Sequence, residues 1–415
     1  MRMAKKKELI NSNLSTIKEG NAEFYIHATD KDSIPSKSMT VFYNQKMEIN
    51  RDISNLAIIA YNRLVNQNPL VIVDSMAASG ISSIRILKEC NNIKKIYIND
   101  INPIAVNLIK KNLLLNRIDN HPAHVEVSGK EANLLFSEIA QKAYISSDIN
   151  SQKPNIISID PFGTPNLYID GAFKAIQKVD GLLCITATDT AVLFGVRPKS
   201  CIRKYMSKPL HTDFCKEIGA RILIYFISRI ANINKMGIIP LLTFYSSHFI
   251  RVFCLTFKNR NKISQYFKNY GYLIHCNNCG YHSTFRDNIL KLPNHCPICK
   301  RDNHIEYAGP LWINEICDLR FVKETILLNQ ELQYRNKKKM SKILNFIQEE
   351  INMPPFYYNI HKLSKNLKLT NVPKLDDLLL KIKEKGYQAS RTHFDFLSIK
   401  TNLDIISIKN ILLEL

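Results

Sequence analysis

The sequence predicts an α/β fold: a seven-stranded, mostly parallel sheet, followed by a smaller C-terminal α+β domain. Three observations predict it. Short β-branched runs alternate with helix-length segments between Asn68 and Phe257, those runs are too apolar to have a solvated face, and the composition shifts to Asn, Lys, His and Cys after Lys262.

The runs are LVIVD at 70–74, KKIYIND at 94–100, HVEV at 124–127, NIISID at 155–160, GLLCITATD at 181–189, GIIPLLTF at 237–244 and RVFCLTF at 251–257. The last two are separated by too few residues for a crossover helix, so they are expected to pair antiparallel at the sheet edge. Ahead of the sheet, Lys18–Arg51 carries scattered aromatics without a clean period and reads as a lid segment. A helix is expected from Asp52, as its cap, through Val65.

The chain has 415 residues, enough for two or three domains at about 150 residues each. Hydrophobic residues make up 45% and charged residues 22%, with 13 Gly and 16 Pro, which excludes collagen-like, low-complexity and wholly disordered chains. The formal net charge of +21 is self-repelling unless an anion shares it, and nucleic acid is the commonest such anion. Met1–Lys7 is basic but leads into a polar stretch with no apolar core, so no secretory signal is expected and the chain reads as cytoplasmic. The most apolar window, Gly237–Phe257, is broken by Ser246, Ser247, His248 and Arg251 and reads as two strands, so no membrane segment is expected. Six isolated cysteines, Cys90, Cys184, Cys201, Cys215, Cys254 and Cys317, read as reduced structural thiols.

The other four have ligand spacing: Cys276-x2-Cys279, sixteen intervening residues, then Cys296-x2-Cys299. This fits a four-thiolate zinc ribbon over 276–299, and a closed four-sulfur site implies a structural ion. His275, His282 and His295 nearby read either as substitutes for a ligand or, the preferred reading, as surface residues.

A strand ending in Asp74, the small-residue loop Ala77-Ala78-Ser79-Gly80, and a second strand ending in Asp100 form a turn that suits a nucleotide-like cofactor. The absence of G-x-G-x-x-G disfavours a pyrophosphate and favours S-adenosylmethionine, which has a ribose and no phosphate. Asp100 reads either as a ribose ligand or as a helix cap. Glu131 reads either as an acceptor for the adenine amine or as a solvated residue at a helix start. Asp160-Pro161-Phe162-Gly163-Thr164-Pro165 follows the fourth strand where the sheet order is expected to reverse. Proline fixes the turn, Phe162 offers a flat surface for a base, and Asp160 can accept hydrogens from an exocyclic amine whose lone pair is delocalised into its ring.

Residues Glu19–Phe257 resemble the tRNA (guanine-26, N2) dimethyltransferases. The words that carry the resemblance are Phe42-Tyr43-Asn44 with Met47, Asn50-Arg51-Asp52, Asn99-Asp100-Ile101, the Asp160–Pro165 turn, Thr186-Ala187-Thr188-Asp189-Thr190-Ala191 and Arg203-Lys204-Tyr205. The resemblance implies a Rossmann-like methyltransferase sheet within a domain spanning 1–265 and a tRNA-binding domain spanning 266–415. It implies that Asp160 is the catalytic carboxylate and that Phe42 and Phe162 are the two faces holding the target guanine. Arg51, Asp100, Glu131 and Ala132 are similar to the family's contacts to S-adenosylmethionine, and an arginine at 51 suits a bidentate grip on the methionine carboxylate.

One position departs from the pattern. Where the family usually reads Gly-Ile-Arg, Ser82 occupies the arginine position and Arg85 follows one helical turn later. Either Arg85 reaches the carboxylate or Ser82 donates a single bond to it. A lesser departure is Asn44-Gln45 in place of Asn-Pro.

The region from Lys337 resembles the family's tRNA-binding part. Ile360–Leu369, Lys374–Lys385 and Gly386–Ile399 read as helix, helix and a basic strand-turn-strand, a winged-helix-like arrangement, with Arg391, Thr392 and His393 near the second helix. Arg335, Lys337, Lys338, Lys339 and Lys342 form the densest basic cluster, suited to phosphate contacts. The implied partner is tRNA, with no obligate protein partner evident. Two other readings are compatible with the residues: an amine methyltransferase acting on another nucleic-acid base, and a zinc-containing RNA-binding protein without activity.

Overall fold

The computed structural model describes residues 14–28, 38–145, 153–286 and 292–415. The first described elements are two antiparallel strands, β1 (Leu14–Glu19) and β2 (Ala22–His27), linked by Gly20 and Asn21. The expected unpatterned lid over Lys18–Arg51 is corrected in its first part to this hairpin. Ala22, Phe24 and Ile26 alternate and are buried, and Gly20 takes the positive φ that a two-residue link requires. Asn112 ties β2 down, accepting from the Tyr25 N–H at 2.7 Å and donating to its carbonyl at 3.2 Å.

The next long element is the helix Glu48–Leu64, so the expected start at Asp52 is also corrected. Met47 occupies the cap without a side-chain hydrogen bond, and Asp52 is buried inside the helix because Arg85 neutralises it at 2.7 Å.

The sheet contains β3 (Leu70–Asp74), β4 (Ile93–Asn99), β5 (His124–Ser128), β6 (Ile156–Ile159), β7 (Leu182–Ala187), β8 (Gly237–Ser246) and β9 (Phe249–Phe257). All seven expected strands are present. Their order is β5-β4-β3-β6-β7-β9-β8, and the β5-β4, β4-β3, β3-β6 and β6-β7 pairs are parallel. Every residue of β3, β7 and β9 is buried, as a sheet covered on both faces demands. Only Ser247 and His248 link β8 to its neighbour β9, which permits antiparallel pairing alone. Pro240, with no N–H to donate, lies in the edge strand β8.

The chain divides into two compact units, one of Met1–Thr186, Phe253–Phe257 and Glu324–Met340, the other of Ala187–Val252, Lys258–Lys323 and Ser341–Leu415. The second unit holds a three-stranded antiparallel sheet with β10 (Tyr270–Cys276) between β11 (His282–Phe285) and β12 (Ile305–Trp312). Its last part contains β13 (Tyr358–Asn359), helices Ile360–Asn366 and Leu375–Glu384, β14 (Ala389–Arg391), β15 (Ser398–Thr401) and helix Ile405–Glu414. Ile360, Leu378, Ile382, Ile399 and Ile408 form the core of this part. Among the described residues no helix is long and apolar enough to cross a membrane.

Candidate active site

Three parallel strands deliver the predicted polar residues to one end of the sheet. β3 ends in Asp74, Asp100 follows β4 and Asp160 follows β6. Between β3 and β6 the progress of the chain through the sheet reverses, which opens a crevice beyond the strand ends.

After β3 the chain turns through Ser75–Gly80 into the helix Ile81–Glu89. Gly80 has φ +79°, which favours glycine, and a Cβ there would also be in tight contact with Ile109 at 3.2 Å. Asp74 accepts a hydrogen bond from Ser83 at 2.7 Å inside the core and anchors the helix. Ser82 lies in the first turn of that helix, half-buried.

Asn99, fully buried, donates to the carbonyls of Ser75 (3.0 Å) and Lys130 (2.8 Å) and accepts from Ser128 Oγ (2.7 Å) and Lys130 N (2.9 Å). One side chain thus pins the ends of three strands, a role the spacing of the sequence does not disclose. Asp100 accepts from Ala78 N at 2.7 Å with Oδ2 and from Asn102 N at 2.9 Å with Oδ1. The helix Pro103–Leu115 is capped by Asn102, so the cap reading of Asp100 is corrected. Each Asp100 oxygen keeps a second lone pair, so the carboxylate offers the two acceptors that a pair of vicinal ribose hydroxyls would need. Burial raises the Asp100 pKa, and the two N–H bonds oppose that rise. Glu131 accepts from Asn133 N (2.8 Å) and Leu134 N (3.1 Å), closing the start of the helix whose first residue is the buried Ala132.

Asp160 is half-buried, with Asn50 Nδ2 at 3.5 Å from its Oδ2. Phe162 is 46% exposed. Its ring meets that of Phe42 edge to face, centroids 4.4 Å apart at 79°. A base between two rings needs them about 7 Å apart and near parallel, so the pair is closed here and must part to admit one.

Arg51 forms a fork on Glu19, Nε to Oε2 at 2.8 Å and Nη2 to Oε1 at 2.6 Å, and Tyr43 donates to the same carboxylate at 3.0 Å. Burial works to raise the Glu19 pKa, but the Arg51 charge and hydrogen bonds outweigh it and hold the carboxyl below its ordinary value. Nη1 of Arg51 has no protein hydrogen-bond partner among the described residues and is the donor left for a further carboxylate. Arg85 is 0% exposed. It pairs with Asp52 at 2.7 Å and Glu89 at 3.0 Å, lies 3.6 Å from Glu19, and sits beneath the Tyr334 ring at 5.3 Å.

The model of the N2,N2-dimethylguanosine tRNA methyltransferase family matches residues 20–413. The chain belongs to that family. The tRNA (guanine(26)-N(2))-dimethyltransferase of Methanosphaera stadtmanae is 34% identical over 390 residues, covering 94% of this chain and 95% of the relative. An Aquifex aeolicus relative, named tRNA (guanine(26)-N(2)/guanine(27)-N(2))-dimethyltransferase, is 32% identical over 94% of this chain and 93% of its own length. Among solved structures, the complex of Trm1 from Pyrococcus horikoshii with S-adenosyl-L-methionine is 28% identical, with a TM-score of 0.81, covering 96% of this chain and 99% of that one.

In this member of the dimethyltransferase family, Asp160 lies against Asn50, Phe162 against Phe42 and Arg51 against Glu19, while the sequence singles out neither Glu19 nor Asn50 as a site residue. Buried acids have no spacing signature, and only the word Asn50-Arg51-Asp52 hinted at the amide.

The four cysteines also converge. Cys276, Cys279, Cys296 and Cys299 place their sulfurs within 4.8 Å of one another, with Cys276–Cys299 at 3.8 Å and Cys279–Cys296 at 3.6 Å. The expectation that His275 and His282 lie on the surface is corrected: both rings pack on Phe214, at 5.2 and 5.0 Å. Burial pushes His282 down to about 4. His295 is exposed. Thr392 and His393 are buried as well, bonded to Glu350, which also lies 3.4 Å from Lys400. Arg335, Lys338, Lys339 and Lys342 are exposed, whereas Lys337 donates to the Gln330 carbonyl at 2.8 Å.

Proposed function

We propose that the chain transfers one or two methyl groups from S-adenosylmethionine to the exocyclic N2 of guanine 26 in tRNA. One observation carries this reading: an acid and an aromatic, Asp160 and Phe162, stand at the reversal point of the sheet, beside Phe42, in a chain that matches the dimethyltransferase family from residue 20 to residue 413.

The free lone pairs of Asp100 suit the ribose of S-adenosylmethionine, and Nη1 of Arg51 suits its carboxylate. Glu131 and Ala132, at the start of their helix, suit its adenine. Ser82, in the first turn after Gly80, adds one donor to that carboxylate in this reading, and Arg85 serves it indirectly by fixing Glu19, which aims Arg51. Bound there, the cofactor supplies an electrophilic methyl group on sulfonium. Phe42 and Phe162 part and hold the guanine by stacking, worth about 1–3 kcal/mol per base. Asp160 accepts a hydrogen of the 2-amine, which localises the nitrogen lone pair, and takes the proton once that nitrogen has become acidic.

The four thiolates fit zinc. Bonds of about 2.3 Å at tetrahedral angles place sulfurs roughly 3.8 Å apart, close to the 3.6 and 3.8 Å observed. With four sulfurs the site has no open position, so the ion is structural, closing a ribbon on β10 and the loops around it. Residues 266–415, with this ribbon and the winged-helix-like part formed by the last helices and β13–β15, hold tRNA, and the exposed Arg335, Lys338, Lys339 and Lys342 contact phosphates. The work is done in the cytoplasm, where such a substrate matures.

Mass spectrometry of a defined, unmodified tRNA incubated with protein and S-adenosylmethionine tests this reading. The expected product carries one or two methyls on N2 of guanine 26. Methyl groups on an adenine or cytosine amine, or no product, would overturn it.

A further inference from the structure

Asn50 lies in the first turn of the helix Glu48–Leu64 and is 2% exposed. Its Nδ2 stands 3.5 Å from Asp160 Oδ2, while its Oδ1 has no hydrogen-bond partner among the described residues. A buried amide oxygen without a donor is costly and calls for an explanation. The nitrogen end of the amide faces Asp160, which leaves its oxygen end as an acceptor without a donor. The acid and the amide thus supply two acceptors, which a base with two adjacent donors would meet as a row.

That row selects among bases. Guanine is the base whose exocyclic amine is flanked by a ring N–H, so its N2 and N1 present adjacent donors. The amines of adenine and cytosine are flanked instead by a bare ring nitrogen, an acceptor, which would face the Asn50 oxygen lone pair to lone pair. Resting on the reading of Asp160 given above, we infer that Asn50 is a specificity-determining residue: its Oδ1 accepts the N1–H of the target guanine while Asp160 engages the 2-amine. Sites built to hydrogen-bond a donor reject the analogue lacking it far more strongly than apolar pockets reject an extra methylene.

The test replaces the target guanine by 2-aminopurine in an otherwise identical tRNA. This base keeps the 2-amine but carries a lone pair at N1. Wild-type protein is expected to prefer guanine by at least about 100-fold in kcat/KM. Asn50→Ala and Asn50→Ser, shown by calorimetry to bind S-adenosylhomocysteine like the wild type, are expected to lose most of that preference, with the loss confined to the guanine substrate. Equal use of both bases by the wild type overturns the inference without any variant, and so does a variant whose two activities fall together, since that marks a role limited to orienting Asp160. A wild type that methylates neither base at N2 overturns instead the function on which the inference rests.

Discussion

Glu19 and Arg51 face each other in a bidentate ion pair, with nitrogen–oxygen distances of 2.6 and 2.8 Å, Glu19 being the last residue of β1 and Arg51 the fourth of the helix Glu48–Leu64. Arg85 lies 3.6 Å behind the same carboxylate. A segment far upstream of the sheet thereby fixes the orientation of the guanidinium proposed to hold the cofactor.

Glu19→Ala leaves two buried arginines short of an anion, a change that costs about 3–5 kcal/mol when one partner of a buried pair is removed. The melting temperature is expected to fall, and calorimetric affinity for S-adenosylhomocysteine to fall with it. Glu19→Gln, which keeps the shape, is expected to show the smaller effect on both. Unchanged affinity in a folded Glu19→Ala protein would remove Glu19 from any role in aiming Arg51.

Asp160→Ala is expected to lower kcat by about 100- to 10,000-fold, the usual contribution of a positioned acid or base. Cofactor affinity should stay within twofold, because the role proposed for Asp160 is toward the base and not the cofactor. Transfer of a labelled methyl group to tRNA reads the first quantity and calorimetry the second.

Phe42 and Phe162 are in edge-to-face contact, so the proposed stacking of a base between them requires that contact to open. Phe42→Ala and Phe162→Ala should each reduce kcat/KM for tRNA by roughly 5- to 150-fold, corresponding to about 1–3 kcal/mol of lost stacking. Leucine at either position restores bulk without a π face and is expected to recover only part. Full recovery with leucine would show that shape, not stacking, is what matters.

In the second unit, Lys400 stands 2.9 Å from Glu217 and 3.4 Å from Glu350, and all three are buried. Burial alone would raise the Glu350 pKa, but Lys400 and His393 outweigh it and bring it down to about 2. A carboxyl depressed on folding stabilises the protein fully above its unfolded value and loses that contribution as pH falls toward the folded one. Stability is therefore expected to decline between about pH 4.5 and pH 2, by an amount on the order of 3 kcal/mol from this group. Urea midpoints across that range measure it. Glu350→Gln, less stable at neutral pH because Lys400 keeps a charge, should show a flatter acid limb.

Metal analysis is expected to find one zinc per chain, held by Cys276, Cys279, Cys296 and Cys299. Replacing Cys279 and Cys296 by serine should abolish it and weaken tRNA binding while leaving S-adenosylhomocysteine affinity unchanged. A metal-free wild type that binds tRNA fully would overturn the structural role of the ion.

The amino-acid sequence by itself determined the seven strands, the hairpin at the sheet edge, the reversal-point turn around Asp160 and the cysteine spacing. Each of these is a local pattern: apolar runs of strand length, a proline-fixed turn, pairs of thiols two residues apart. Tertiary structure alone decided which polar groups meet. Arg85, one turn from Ser82 and open in the sequence to a cofactor role, is enclosed by Asp52, Glu89 and Glu19. Thr392 and His393, expected in a basic turn, are buried on Glu350. Asn99 and Asn50 look like ordinary polar residues until their partners, 24 to 110 positions away, are in place. The physical reason is that strand and turn formation depend on neighbours along the chain, whereas the partner of a buried charge or amide is set by packing between segments that no periodicity connects.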